Sequence, residues 1–271
     1  MADLPPIDPA TGRRPGAVGF LTDASLCIGC KACEVACKQW NDLPADGPFE
    51  LTGRGYDNTG DLGATTWRHV AFVERDDGAG GPVTAWLMLS DVCKHCIHAG
   101  CMEACPTGAI IRTEFDTVFI QPDVCNGCGY CVPACPFGVP QIGHDDGLSR
   151  KCTFCYDRLR AGDEPACAKS CPTDSIRFGP ADDMLRLGRE RVDTLRARGV
   201  DAALYGDGEL GGSGGIAGLN SVFVITDRPE TFHLPAAPAL PSRNLRPALA
   251  GAAATAALLL LAVAGAARRE P

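Results

Sequence analysis

The chain has 271 residues and a net charge of −8, with no basic run, which argues against nucleic-acid binding. Its length suits one large or two small domains. Aromatic residues are scarce (6%) while glycine (32) and proline (21) abound, a balance that suits loops wrapped around a cofactor better than a large hydrocarbon core.

Residues 1–24 hold no apolar run of about 7–15 residues, so no secretory signal is read there. Arg13 and Arg14 precede Pro15 and Gly16 instead of an apolar stretch, and the pair reads as a solvated loop rather than a twin-arginine signal. A first cysteine group follows: Cys27, Cys30, Cys33 and Cys37. Turn signals come next (Pro44, Gly47, Pro48, Gly53, Gly55). Apolar stretches at 69–73 and 83–89 then straddle Asp76-Asp77-Gly78 as a hairpin. The second group is Cys93, Cys96, Cys101 and Cys105; within it His95 and His98 read as partly exposed loop histidines. Residues 113–120 (TEFDTVFI) read as a short strand or hairpin. The third group is Cys125, Cys128, Cys131 and Cys135, and the fourth is Cys152, Cys155, Cys167 and Cys171.

Residues 181–200 read as a helix. Asp182 and Asp183 stand at its start, Arg196 and Arg198 near its end, and Gly199 stops it. Met184, Leu187, Val192 and Leu195 form its expected buried face. Gly206-x-Gly208-x-x-Gly211 matches a dinucleotide fingerprint in letters only. No clear strand precedes it and no helix start follows, so residues 207–218 read as a flexible loop. Residues 221–226 (SVFVIT) read as a strand, and the Pro-rich run 234–247 as a linker. Residues 248–267 carry no charge; at about 1.5 Å per residue they would span roughly 30 Å, one bilayer core. This predicts a transmembrane helix whose glycines and alanines suit close packing against partner helices. Arg243 and Arg246 on one side balance Arg268 and Arg269 on the other, so orientation is not decided.

No nucleophile–base pair, P-loop, nicotinamide or flavin motif is present, and no catalytic residue is assigned. Asp76-Asp77 and Asp145-Asp146 read as turns, and Trp40 and Trp67 as packing residues. The sixteen cysteines carry the information. Groups one and three read C-x-x-C-x-x-C-x-x-x-C, in which a short loop can wrap three corners of a cubane while backbone N–H groups face the sulfurs. Pro106, Pro136 and Pro172 turn the chain away after three of the groups. In the first group Lys38 takes that place, so the helix can run on. Two other readings compete. Disulfides between cysteines two residues apart bridge poorly. Four-thiolate zinc could use the fourth group, but a third close cysteine has no role in a tetrahedral site.

The iron–sulfur reading gives four [4Fe–4S] clusters, with folding coupled to metal loading. In a ferredoxin fold each repeat donates three cysteines to one cluster and its fourth to the neighbour's. The expected sets are Cys27, Cys30, Cys33 with Cys171; Cys152, Cys155, Cys167 with Cys37; Cys93, Cys96, Cys101 with Cys135; and Cys125, Cys128, Cys131 with Cys105. The expected fold is α+β: two bacterial dicluster ferredoxin-like modules and a C-terminal transmembrane helix. Residues 1–23 would be an N-terminal extension, 24–90 with 141–180 the outer module, and 91–140 the inserted module. Residues 181–236 would form a helix, loop and strand extension, and 237–247 a linker.

With these groups laid out, the chain resembles the iron–sulfur (beta) subunits of molybdopterin oxidoreductases, and more narrowly those of respiratory formate dehydrogenases. The resemblance rests on CIGCKACEVACKQWND (27–42), YDNTGDLGATTW (56–67), CNGCGYCVPACPFGVP (125–140), KCTFCYDRLRAGDEPACAKSCPTDSIRFG (151–179) and RVDTLRARG (191–199). It implies a catalytic alpha subunit with a molybdenum or tungsten bis-pterin cofactor, and a membrane cytochrome b (gamma) subunit that passes electrons to quinone. It also implies a cluster domain on the outer, periplasmic face of the cell membrane. The same relay in a sulfoxide, polysulfide or nitrate reductase is the alternative. One departure is Ile97-His98-Ala99-Gly100, where the family often has an acidic, Pro-containing segment.

Overall fold

The computed structural model describes residues 5–45, 57–75, 85–211 and 214–267. The Asp76-Asp77-Gly78 turn, Tyr56 and the Arg268-Arg269 pair lie outside them.

In chain order the first elements are β1 (Val18–Asp23), α1 (Ala32–Trp40), β2 (Arg68–Arg75) and β3 (Ala85–Val92). Short elements follow: α2 (Gly100–Glu103), β4 (Ile110–Arg112), β5 (Val118–Ile120), α3 (Cys131–Ala134), β6 (Gln141–Ile142) and β7 (Ser149–Arg150). Next come α4 (Tyr156–Arg160), α5 (Ala166–Lys169), β8 (Ile176–Pro180) and α6 (Ala181–Ala197). The chain continues through β9 (Ala203–Tyr205), β10 (Ser221–Ile225) and α7 (Leu245–Ala267).

A four-stranded sheet in the order β8-β1-β10-β9 organises the molecule. β1 runs parallel to β10, with Phe20 opposite Ser221, and antiparallel to β8. Successive side chains on a strand point to opposite faces, and here both faces are buried. Leu21, Val222 and Val224 meet Met184, Leu185, Val192 and Leu195 of α6. Phe20, Phe223 and Ile225 face the cysteine-bearing core. Each fully buried side chain of this kind contributes about 1.5–3 kcal/mol. On α6, Leu185 takes the buried place expected of Leu187, which is only partly covered. The helix ends at Ala197 in a Schellman motif. The Val200 N–H donates to Leu195 O (3.1 Å), the Gly199 N–H donates to Arg196 O (2.9 Å), and Gly199 has φ +80°.

The remaining sheets are two-stranded hairpins. β2 pairs with β3, Val70 opposite Ser90, where the two apolar stretches predict a hairpin. Residues 113–120 are not one strand: β4 and β5 pair across a turn with Asp116 at φ +59°. Cysteine-bearing helices pack in pairs, α1 against α5 and α2 against α3.

Four sequence expectations change. Arg13 and Arg14 are not solvated. Arg13 is buried and donates to Asn220 Oδ1 and Leu219 O (2.9 Å each), while Arg14 pairs with Asp116 at 3.1 Å. A strand, β9, does precede the glycine run, although no helix follows it. The loop after it is packed rather than free: Ile216 and Leu219 are fully buried, and the Ile97 N–H donates to Gly218 O (3.0 Å). The segment read as a linker is partly core, since Leu234 and Leu240 are buried and the Tyr205 hydroxyl donates to Pro235 O (2.7 Å). Beyond it, α7 is long and apolar enough to cross a membrane, and Leu258, Leu259, Leu260 and Leu261 stand exposed on it.

The α2–α3 contact depends on one absent side chain. A Cβ on Gly100 would lie 2.3 Å from the backbone oxygen of Ala134. Helix propensity alone would make Gly100→Ala stabilising by about 1 kcal/mol. We expect the opposite sign, a loss of about 1–3 kcal/mol from forcing the helices apart, read as a lower thermal unfolding midpoint.

Candidate metal centre

Each cysteine group starts with a tight loop, and the residue before its second cysteine is left-handed every time. These residues are Gly29 (φ +66°), His95 (+43°), Gly127 (+72°) and Phe154 (+64°). This conformation turns the chain so that cysteines three apart face the same space. Glycine adopts it freely; His and Phe pay roughly 1–2 kcal/mol and need packing to hold them. Phe154 is fully buried and stacks on Phe20 (centroids 4.2 Å apart), with His95 edge-on to its ring (4.6 Å, 83°).

His95 is therefore not a partly exposed loop residue. It is buried, and its Nδ1 accepts the Val118 N–H at 3.0 Å. Burial, with Lys151 and Arg112 nearby, holds its pKa well below the ordinary value, so the imidazole is neutral. His98 is exposed. Trp40 is only partly a packing residue: 46% exposed, it ties α1 to α4 by donating to Asp157 (2.9 Å) beneath the Arg158 guanidinium (4.2 Å). Trp67 is half-buried and donates to Ala64 O (2.9 Å).

None of the sixteen cysteines is bridged in a disulfide. Cys27, Cys30, Cys33 and Cys171 line one small pocket together with Ile28, Val70, Ser90 and Ile176. Cys33 and Cys37 stand one helical turn apart on the buried face of α1. The sulfurs influence one another in sets. Burial first, then the sulfurs of Cys33 and Cys171, push Cys27 up to about 11. Burial and then Cys152, Cys167 and Cys155 raise Cys37 well above its ordinary value. Burial and then Cys135, Cys93 and Cys101 do the same to Cys96. Cys131, raised chiefly by burial, also feels Cys125 and Cys128. Cys105 is the exception. Burial pushes it up, but hydrogen bonds from the Thr107 side chain and from the Ile110, Thr107 and Ala109 backbone outweigh it and hold it below the usual thiol value.

Thiols so buried and so close stay protonated unless positive charge arrives, which a metal cluster supplies. The residues fit such a group in other ways. Backbone N–H groups of Phe154 and Ile176 lie 3.4 Å from the sulfurs of Cys152 and Cys171. Ser90 Oγ stands 3.2 Å from Cys33 Sγ, and Ser149 Oγ 3.1 Å from Cys131 Sγ. Lys151 is buried against the backbone oxygens of Val118 and Cys152, and Lys94 is buried and paired with Asp91. Among the described residues, no three His, Cys, Asp or Glu side chains are placed to hold a single ion. Sequence reasoning misses Ser90, Ser149 and the buried cations. Only Ser90 carries a signal, as a polar residue inside the largely apolar strand β3.

Comparison with known proteins bears on these groups. Two families, each described as a 4Fe-4S dicluster domain, match residues 26–111 and 84–181 and between them include all sixteen cysteines. The chain is 42% identical over 219 residues to the nitrate-inducible formate dehydrogenase iron-sulfur subunit of Escherichia coli K12, covering 80% of this chain and 71% of that one. It is 41% identical over 222 residues to the formate dehydrogenase iron-sulfur subunit of Haemophilus influenzae, covering 80% and 67%. It is 39% identical over 166 residues to the B subunit of the anaerobic dimethyl sulfoxide reductase of E. coli K12, covering 61% and 75%. The fold is α+β, with two 4Fe-4S dicluster domains and one long apolar helix.

A hydroxyl that donates to a ligand sulfur stabilises the more negative, reduced state. Ser149→Ala should therefore lower the midpoint of one cluster without loss of iron, as read by potentiometric EPR.

Proposed function

This chain belongs to the family of formate dehydrogenase iron–sulfur subunits, and we propose that it relays electrons from a formate-oxidising subunit to a membrane subunit through four [4Fe–4S] clusters. The observation that carries this reading is the arrangement of sixteen unbridged cysteines in four groups whose helices pack in two pairs. The proposed ligand sets are Cys27, Cys30, Cys33 with Cys171; Cys152, Cys155, Cys167 with Cys37; Cys93, Cys96, Cys101 with Cys135; and Cys125, Cys128, Cys131 with Cys105. The packing of α1 on α5, and of α2 on α3, supports exchange of fourth ligands between groups one and four and between groups two and three.

Bound in these sets, each cluster would accept and release one electron at a time. The chain's own residues do the rest. The buried cysteines and the apolar residues around them keep water from the sulfurs. Ser90 and Ser149 donate to Cys33 and Cys131 when these are thiolates. Cys93 is close enough to Cys152 to help raise its pKa, second to burial. That proximity supports an unbroken route between the inner and outer sets. We assign the oxidation of formate to a partner with a molybdenum or tungsten bis-pterin cofactor. We assign α7 as a membrane anchor that packs against a cytochrome b subunit, with the cluster domain on the periplasmic face.

The likeness to the sulfoxide reductase subunit supports a second reading, the same relay for another molybdopterin partner. It spans 61% of this chain, against 80% for the formate dehydrogenase subunits, which favours formate.

Low-temperature EPR on the anaerobically solubilised complex tests the assignment. Formate should produce reduced [4Fe–4S] signals, and Cys30→Ser should alter a subset of them. Reduction by dithionite but not by formate would keep the relay and remove formate as donor. Ending the chain after Leu240 should release it from the membrane fraction; retention there would sink the anchor.

A further inference from the structure

Arg68, the first residue of β2, heads the fully buried large side chains at 1% exposure. A guanidinium does not titrate in proteins, and burying it without a counter-charge is costly. Among the described residues it makes no ion pair with any Asp or Glu. Neutral groups hold it in place. Nε donates to Ser90 Oγ (2.8 Å), Nη2 donates to Thr22 Oγ1 (3.2 Å), and the guanidinium lies 5.2 Å from the centroid of the Phe20 ring. Nη1 is buried with no hydrogen-bond partner.

Sulfur supplies the missing negative charge. Burial lowers the Arg68 pKa, but the sulfurs of Cys167, Cys33, Cys152 and Cys37 outweigh it and raise the pKa. Cys27 feels Arg68 in return. Two of these five sulfurs, Cys27 and Cys33, belong to one proposed ligand set. The other three, Cys37, Cys152 and Cys167, belong to its neighbour. Ser90 touches both the guanidinium and Cys33 Sγ, linking the cation directly to a ligand.

We propose that Arg68 is the shared counter-cation of the two clusters of the outer module and raises both of their reduction potentials. This rests on the cluster reading above. Reduction adds one electron to a cluster and makes it more negative, with no bond made or broken. A fixed positive charge in a poorly screened interior therefore favours the reduced form. The buried Nη1 without a partner points to the same conclusion, because the neutral groups around the cation leave one of its donors unmet.

The test uses Arg68→Met, which removes the charge, and Arg68→Lys, which keeps it, each in the full membrane complex. Potentiometric EPR is combined with assay of iron and acid-labile sulfide. Signals of the outer set are those altered by Cys30→Ser or by Cys155→Ser. Arg68→Met should disfavour their reduction by at least tenfold, about 59 mV for one electron, and leave the other signals in place. Arg68→Lys should stay within about threefold of the unsubstituted complex. Loss of iron from the Met variant alone, with the Lys variant loaded and unshifted, also supports the proposal, because charge is then what the site requires. Unchanged midpoints in a fully loaded Met variant, equal shifts in both variants, or loss of iron from both would overturn it. If the unsubstituted complex itself lacks cluster iron and sulfide, the cluster reading fails and this inference fails with it.

Discussion

Concentrated sulfur in a poorly solvated interior is the constraint on which this structure depends. Burial disfavours thiolates, and neighbouring thiolates disfavour one another. The values near 11 at Cys27 and Cys167 and near 12 at Cys101 express both effects. A protein of this composition cannot offset that with a large hydrocarbon core. It uses metal at the sulfurs, buried Arg and Lys side chains around them, and hydroxyl or backbone donors aimed at them. Folding and cofactor loading are then one equilibrium.

One of the three layers of this arrangement, the metal at the sulfurs, is legible in the sequence. Cysteine spacing marks the ligand groups because chain geometry leaves few ways to place thiols around a cubane. Gly29 and Gly127 mark left-handed turns because glycine tolerates them without help. His95 and Phe154 hold the same conformation in groups two and four, but only through tertiary packing, Phe154 on Phe20 and His95 on Phe154, which no local pattern announces. Arg68 and Lys151 look like ordinary strand-edge and loop cations in the sequence. Their burial is decided by what packs over them from distant parts of the chain. Arg13 misleads for the same reason, since its partners Asn220 and Leu219 lie far along the chain.

The extensions serve the cluster region rather than flanking it. The loop before β10 hydrogen-bonds to Ile97 and His98 inside the second cysteine group, through Gly218 O and Ile216 O. Asn220 links that loop to Asp116 O in the β4–β5 turn and to Arg13. A run of glycines that resembles a nucleotide motif in letters is here a surface laid closely over a ligand loop. At Gly206 an added Cβ would lie 2.8 Å from the Leu219 side chain.

The parallel pairing of β1 with β10 also fixes an order of assembly. β1 precedes every cysteine and β10 follows all of them, yet the two are adjacent in the central sheet. During synthesis the sheet cannot close until residues 221–225 have left the ribosome, by which time all sixteen thiols have emerged. Contacts this distant in sequence form late because the closure entropy of the intervening chain must be met first. The strand at 221–225 is therefore the last piece of the central sheet, which closes only once the chain is long enough to return to its own beginning.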